Sequence, residues 1–212
     1  MSVLVTGGCG YIGSHTVLML LEQDEEVILI DNLSNSSASV IDRIKQISKE
    51  KHIHFYKTDI RDEQSLQNIF IKHDIQSVIH FAALKSIPDS FRDIDEYIQV
   101  NIQGTSNIIN MVKKYSSKNL IFSSSASVYG VPDILPITEH AKLDPRNPYA
   151  ETKLKLENYL INKSKSDSIR YIILRYFNVA GADEKLRSGL ISKYSTHLIK
   201  IASEVAVNKR DE

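Results

Sequence analysis

Two hydrophobic periods alternate along this chain. Compact apolar runs occur at Val3-Leu4-Val5, Glu26–Ile30, His54–Thr58, Ser77–Phe81, Asn119–Phe122 and Arg170–Leu174. Between them, apolar residues recur every three or four positions, after Gly13 and over Ser39–Lys49, Glu63–Lys72, Ile94–Tyr115 and Tyr149–Ser164. Runs of the first kind fit strands buried on both faces, and stretches of the second fit amphipathic helices. Their alternation predicts an α/β fold, a Rossmann-like, doubly wound parallel sheet of about six strands with helices on both faces. The carboxyl ends of the strands, where such a sheet binds ligands, carry Thr6, Asp31, Asp59, Phe81-Ala82-Ala83, Ser123-Ser124-Ser125 and Tyr176-Phe177-Asn178. Residues 131–148, containing Pro132, Pro136, Pro145 and Pro148, read as an irregular loop over that edge. A polar loop from Ala182 to Lys193 and a helical pattern over Thr196–Val207 complete the chain.

The turn after the first strand is Gly7-Gly8-Cys9-Gly10-Tyr11-Ile12-Gly13. Glycines at Gly7, Gly10 and Gly13 allow a tight turn, close approach of a pyrophosphate and close helix packing, while the helix that follows offers free N–H groups. The second strand delivers Asp31, whose carboxylate is placed to accept from an adenine-ribose hydroxyl and would repel the extra phosphate of NADP. NAD is therefore the expected cofactor. A glycine-rich turn in an unrelated α/β domain is the competing reading.

Composition narrows the partners. The 212 residues are 42% hydrophobic and 25% charged, enough for a sizeable core. Lysine plus arginine and aspartate plus glutamate balance at 26 each, so no basic field favours nucleic acid or an anionic membrane, and neither is an expected partner. The single cysteine, Cys9, suits a reducing compartment. No apolar run approaches the roughly 20 residues of a membrane span, and no signal segment opens the chain, so a cytoplasmic location is expected. His15, His80 and His197 are not at metal-ligand spacing and read as packing or polar contacts, and no metal is expected.

Tyr149 and Lys153 stand four apart on a helix that Asn147 can cap and Pro148 can start, so they share a face. Lowering a phenol from pH 10 to about 7 requires roughly 4 kcal/mol in favour of the phenolate. One positive charge at about 4 Å, with an effective dielectric of about 20, supplies a similar amount unless desolvation cancels it.

Several segments together resemble the extended short-chain dehydrogenase/reductase family, and within it the UDP-hexose 4-epimerases. They are Val5–His15, Asp31-Asn32-Leu33, Asp59-Ile60-Arg61, His80–Lys85, Phe122–Gly130, Pro148–Lys153 and Leu174–Gly181. The resemblance implies that Ser125 bonds the sugar 4-oxygen, Tyr149 takes the 4-hydroxyl proton, and Lys153 holds the nicotinamide ribose and lowers the Tyr149 pKa. It implies reversible oxidation at C4, with a 4-keto sugar turning over in the site, interconverting UDP-galactose and UDP-glucose. Cofactor contacts would come from Gly7, Gly10, Tyr11, Ile12, Gly13, Asp31, Asn32, Asp59, Ile60, Phe81, Ala82, Lys85, Ser123, Tyr149, Lys153 and Tyr176. The UDP-sugar substrate would meet Lys85, Ser125, Tyr149, Asn178, His197 and Leu198. Lys85 could instead be a solvated cation and Asn178 a turn residue.

Nucleotide-sugar dehydratases of the family place an Asp-Glu pair where this chain has Ala126 and Ser127. Val100 stands where the family commonly has asparagine, and Pro88 where it favours glycine. The resemblance also implies a homodimer, an NAD-binding domain over 1–181 and the beginning of a substrate-binding region over 182–212, with the C-terminal substrate domain largely missing. A chain of that extent is expected to hold NAD weakly and turn over little sugar. Other readings are a UDP-N-acetylhexosamine 4-epimerase, a decarboxylase or reductase of the same family, or a non-catalytic NAD-binding module.

Overall fold

The structure, a computed structural model, describes residues 1–49, 52–117, 119–167, 169–191 and 197–211. Six strands, β1 (Ser2–Thr6), β2 (Glu26–Asp31), β3 (Ile53–Lys57), β4 (Ser77–His80), β5 (Asn119–Ser123) and β6 (Arg170–Leu174), pair in parallel. Their order is β3-β2-β1-β4-β5-β6. The connections reverse direction between β1 and β4, which opens a crevice at the carboxyl ends of those two strands.

The helices are α1 (Tyr11–Glu22), α2 (Ala38–Ser48), α3 (Glu63–Lys72), α4 (Ile87–Arg92), α5 (Ile94–Tyr97), α6 (Thr105–Lys114), α7 (Pro148–Asp167) and α8 (Leu198–Ala206). Alternate strand residues serve opposite faces. Leu4, Ile28 and Ile30 pack with Leu66 and Phe70 of α3, Ile108 and Val112 of α6, and Leu156 of α7. Val3, Val5, Val27 and Leu29 pack with Val17 and Leu18 of α1 and Ile41 and Ile44 of α2.

Two elements differ from the sequence expectation. The helix expected over Ile94–Tyr115 is interrupted by a π-helical stretch, Ile98–Gly104, between α5 and α6. Helix α4 was not expected; Ser86 caps it by accepting from the Asp89 N–H, and Pro88 sits in its first turn, where a proline costs no hydrogen bond. A short 3-10 turn over Ala126–Tyr129 begins at Ser125, whose side chain accepts from the Ser127 N–H. Thr196, expected to start the last helix, lies outside the described residues.

Beyond β6 the chain crosses to the first two helices. Tyr11 donates to the Gly181 carbonyl, Ser14 Oγ lies 2.7 Å from Ser188 Oγ, and Arg187 pairs with Asp183 and Glu22. Strand β6 is the sheet edge, with Ile172 56% exposed, and α8 buries none of its residues.

Candidate active site

The glycine loop forms a cradle lined by backbone. Gly7 has φ +67°, and a Cβ there would stand 2.8 Å from the Ala82 nitrogen. A Cβ on Gly13 would stand 2.3 Å from the Gly7 carbonyl oxygen, a backbone atom that cannot swing away. Gly10 caps α1 without any side chain, leaving the first-turn N–H groups of Tyr11, Ile12 and Gly13 to face an anion. These features fit a pyrophosphate.

Asp31, 8% exposed, ties this loop to β2. Its Oδ2 accepts from the Cys9 N–H at 3.0 Å, and its Oδ1 accepts from the Leu33 N–H and Ser36 Oγ, both at 2.8 Å. A carboxylate has about four acceptor positions, so one remains for a ligand hydroxyl. Asn32 donates to Asp59 Oδ2 at 2.9 Å, and Arg61 forks onto both Asp59 oxygens, holding that carboxyl down at about 2. The Ile60 side chain is buried in the core, where it meets Gly104. After β4, Phe81 and Ala82 are half-buried, the Ala82 N–H donates to Thr6 Oγ1, and Lys85 is exposed.

A second group lies beyond β5. Asn147 caps α7 by accepting from the Ala150 N–H at 2.8 Å, which sets Tyr149 and Lys153 on the face turned to the sheet. Ser125 lies on the side of the Tyr149 hydroxyl and favours its ionised form. Lys153, 3% exposed, donates to the Ser123 carbonyl at 2.8 Å and lies 5.8 Å from the centre of the Tyr149 ring. Ser123 Oγ bonds the Tyr176 hydroxyl.

Electrostatics here depart from the expectation. Burial pushes the Tyr149 phenol above its ordinary value, Ser125 opposes this, and nearby Tyr176 adds to the rise. Burial also brings the Lys153 ammonium down to about 8, against the pull of Glu157. The charge invoked to acidify Tyr149 is committed to the Ser123 carbonyl, and desolvation prevails at the phenol.

Ser123, Ser125, Tyr149, Lys153 and Tyr176 are thus brought into one neighbourhood, with Ser123 bonded to Lys153 and Tyr176, and Gly7, Gly10, Tyr11, Ile12, Gly13 and Asp31 into the cradle. Asn178 is exposed beyond β6, while His197 caps α8 and Leu198, its first residue, is 75% exposed. A groove of about 940 Å³ between α2 and the 182–191 segment has Arg43, Arg187 and Ser188 in its walls but none of these residues.

Two supporting residues escaped sequence reasoning, and a third found its partners. Asn101 sits inside the π-helical stretch, accepting from the Leu84 N–H and donating to the Leu84 carbonyl and Thr152 Oγ1. Glu157, 1% exposed, accepts from Ser124 Oγ and from the Arg175 fork. Its signal was a glutamate one turn beyond Lys153 on the helix face that carries Tyr149. His80, expected to be a packing or polar contact, bridges Thr6 Oγ1 at 2.6 Å and Thr105 Oγ1 at 2.8 Å, and burial with the nearby Lys153 charge holds it down at about 3.

A family model described as GDP-mannose 4,6 dehydratase matches residues 4–210. The chain belongs to this family of extended short-chain dehydrogenase/reductases. Among its relatives is the UDP-glucose 4-epimerase of Halalkalibacterium halodurans, 42% identical over 211 residues, which are 100% of this chain and 60% of that protein. A crystal structure of UDP-glucose-4-epimerase from Stenotrophomonas maltophila, with bound NAD and formylated UDP-arabinopyranose, superposes with a TM-score of 0.94 at 36% identity. It covers 100% of this chain and 63% of its own. The Bifidobacterium longum UDP-glucose 4-epimerase in complex with NAD+ and UDP gives 0.93 at 39% identity and 64% of its own length. The chain therefore spans about 60% of the curated family member it matches, and its sheet is the family's sheet.

Proposed function

We propose that this chain carries the NAD site and the proton-transfer residues of a UDP-glucose 4-epimerase. The observation behind this reading is Lys153, buried one turn from Tyr149 and bonded to the Ser123 carbonyl, at the same sheet edge as the glycine cradle. Ser125 would accept or donate at the sugar 4-oxygen, and Tyr149 would hold the 4-hydroxyl proton during the keto stage and return it. The cradle, Asp31 and the strand ends through Asn32, Asp59, Ile60, Phe81 and Ala82 would hold NAD, with Lys153 near its nicotinamide ribose. When bound, NAD supplies the two-electron oxidation at sugar C4 and its reversal, together with a positive ring. Lys85, Asn178, His197 and Leu198 would meet the nucleotide-sugar. The named relatives support this assignment, and Ala126-Ser127 supplies no acidic pair for dehydration.

The proposal extends to location and assembly. Buried Cys9 is consistent with the cytoplasm, and among the described residues no helix is long and apolar enough to cross a membrane. Exposed Phe91, Ile94 and Ile98 offer an apolar surface for a second copy. Domain limits of 1–181 for cofactor binding and 182–212 for the start of a substrate region are part of the same reading.

The test is a coupled assay on UDP-galactose, run with this chain and with the length its relatives span. Tyr149→Phe should lower turnover at least 100-fold while NAD affinity changes less than about threefold. Stoichiometric consumption of added cofactor would instead assign a net dehydrogenase or reductase, and undiminished turnover in the variant would reject the role of Tyr149.

A further inference from the structure

At the corner of the sheet opposite the crevice, three potential ligands converge from three elements. Glu26 is the first residue of β2, His54 the second of β3, and His73 ends α3 at its C-cap. One ligating atom from each lies within 4.8 Å of the others, and among the described residues no other group of His, Cys, Asp or Glu meets this condition. His54 Nε2 is 3.2 Å from Glu26 Oε1, and the two imidazole rings have centroids 4.8 Å apart.

The surroundings orient this group. Tyr56 OH lies 2.7 Å from His73 Nε2, leaving Nδ1 of that ring for a ligand, and Ser2 Oγ donates to Glu26 Oε2 at 3.3 Å. Such outer contacts fix ring orientation and typically alter metal affinity 10–100-fold. Glu26 and His73 are half-buried while His54 is exposed, so an ion can enter from solvent and keep water on an open position.

We propose that Glu26, His54 and His73 form a binding site for a borderline divalent cation, with zinc the best fit. Two imidazole nitrogens and one carboxylate oxygen suit zinc and exclude magnesium, which demands an oxygen-rich octahedron. Ligands about 2.0–2.2 Å from a tetrahedral ion stand about 3.4 Å from one another, so the Glu26–His54 pair is already close enough and the widest separation in the group must close by up to about 1.4 Å. Exposed His54 can supply that movement. Glu26 and Asp31 lie at opposite ends of β2, about 16 Å apart at the usual strand rise, so the ion would clamp β2, β3 and α3 and take no part in chemistry at the crevice.

The experiment is zinc titration of tag-free protein by calorimetry at neutral pH, repeated with His54→Gln and His73→Gln, each checked for native circular dichroism. The expected result is one ion per chain, at least tenfold weaker binding in each variant, and no binding of magnesium. The thermal midpoint should rise by roughly 5–10 °C when free zinc exceeds the dissociation constant 100-fold. Cobalt bound in place of zinc should show the intense visible absorption of a four- or five-coordinate site. Absence of saturable binding, or binding that survives both substitutions, overturns the proposal. None of these readouts depends on epimerase activity, so its failure and the failure of the functional reading are separable.

Discussion

A phenol ionises near pH 10, and burial raises Tyr149 further, while Ser125 favours its phenolate. A base must be deprotonated to act, so activity should rise with pH through the Tyr149 pKa. Ser125→Ala removes the opposing influence, and its rate profile should move to higher pH as well as fall about 100-fold at neutrality, which a pH series of turnover checks. Asp31 presents a different balance, since three of its acceptor positions already serve Cys9, Leu33 and Ser36. Asp31→Ala leaves those donors unpaired near the cradle, costing about 1–3 kcal/mol of stability in addition to at least tenfold in NAD affinity. Urea denaturation and cofactor titration measure the two losses separately.

The π-helical stretch Ile98–Gly104 turns Asn101 inward, where its amide replaces the missing backbone partners of Leu84 and touches Thr152 on α7. One side chain thereby joins the loop after β4 to the helix that carries Tyr149. Asn101→Ala should destabilise the protein by about 1–3 kcal/mol and speed hydrogen exchange at the Leu84 amide, with NAD affinity falling as the 81–85 loop loosens. The apolar spacing over Ile94–Tyr115 identified a helical segment but could not reveal this widening, because an extra residue in one turn hardly disturbs a periodicity of three to four. Helix α4 was hidden for another reason: Pro88 reads as a loop residue unless the Ser86 cap before it is recognised. The strands were legible where both faces are buried, as at Val27–Ile30, whereas β3 was displaced by one residue because His54 and Tyr56 make its apolar run ambiguous. The cradle and the Tyr149–Lys153 pair were legible because their partners are local. Glu157, the threonine partners of His80 and the Glu26-His54-His73 corner depend on contacts across 18 or more residues, which no spacing rule reports.

Across the whole molecule, the order β3-β2-β1-β4-β5-β6 places β1 and β4 side by side and brings buried His80 between Thr6 and Thr105, directly beneath the crevice. Parallel strands on both sides exclude water, and the Lys153 charge adds to the penalty for protonating this imidazole. Its folded-state value of about 3 lies below the unfolded value of 6.5, so the unfolded chain binds the proton first as pH falls. The resulting sign is a loss of stability on going from pH 6.5 towards 3. Lys153 acts in the same sense at higher pH, because its folded value of about 8 lies below 10.5 and stability falls as pH drops through that interval. Urea midpoints between pH 5 and 7 follow the lowered histidines, His80 above all, since Asp59 at about 2 titrates well below this range and Lys153 above it. The wild-type midpoint should fall as the medium is acidified across these two units. In His80→Asn the slope should shrink while the remainder, due in part to His73 lowered in the same direction, persists. An unchanged slope would show that His80 takes up its proton in the folded state as readily as in the unfolded one, and that the hydrogen bonds to the two threonines do not hold it neutral.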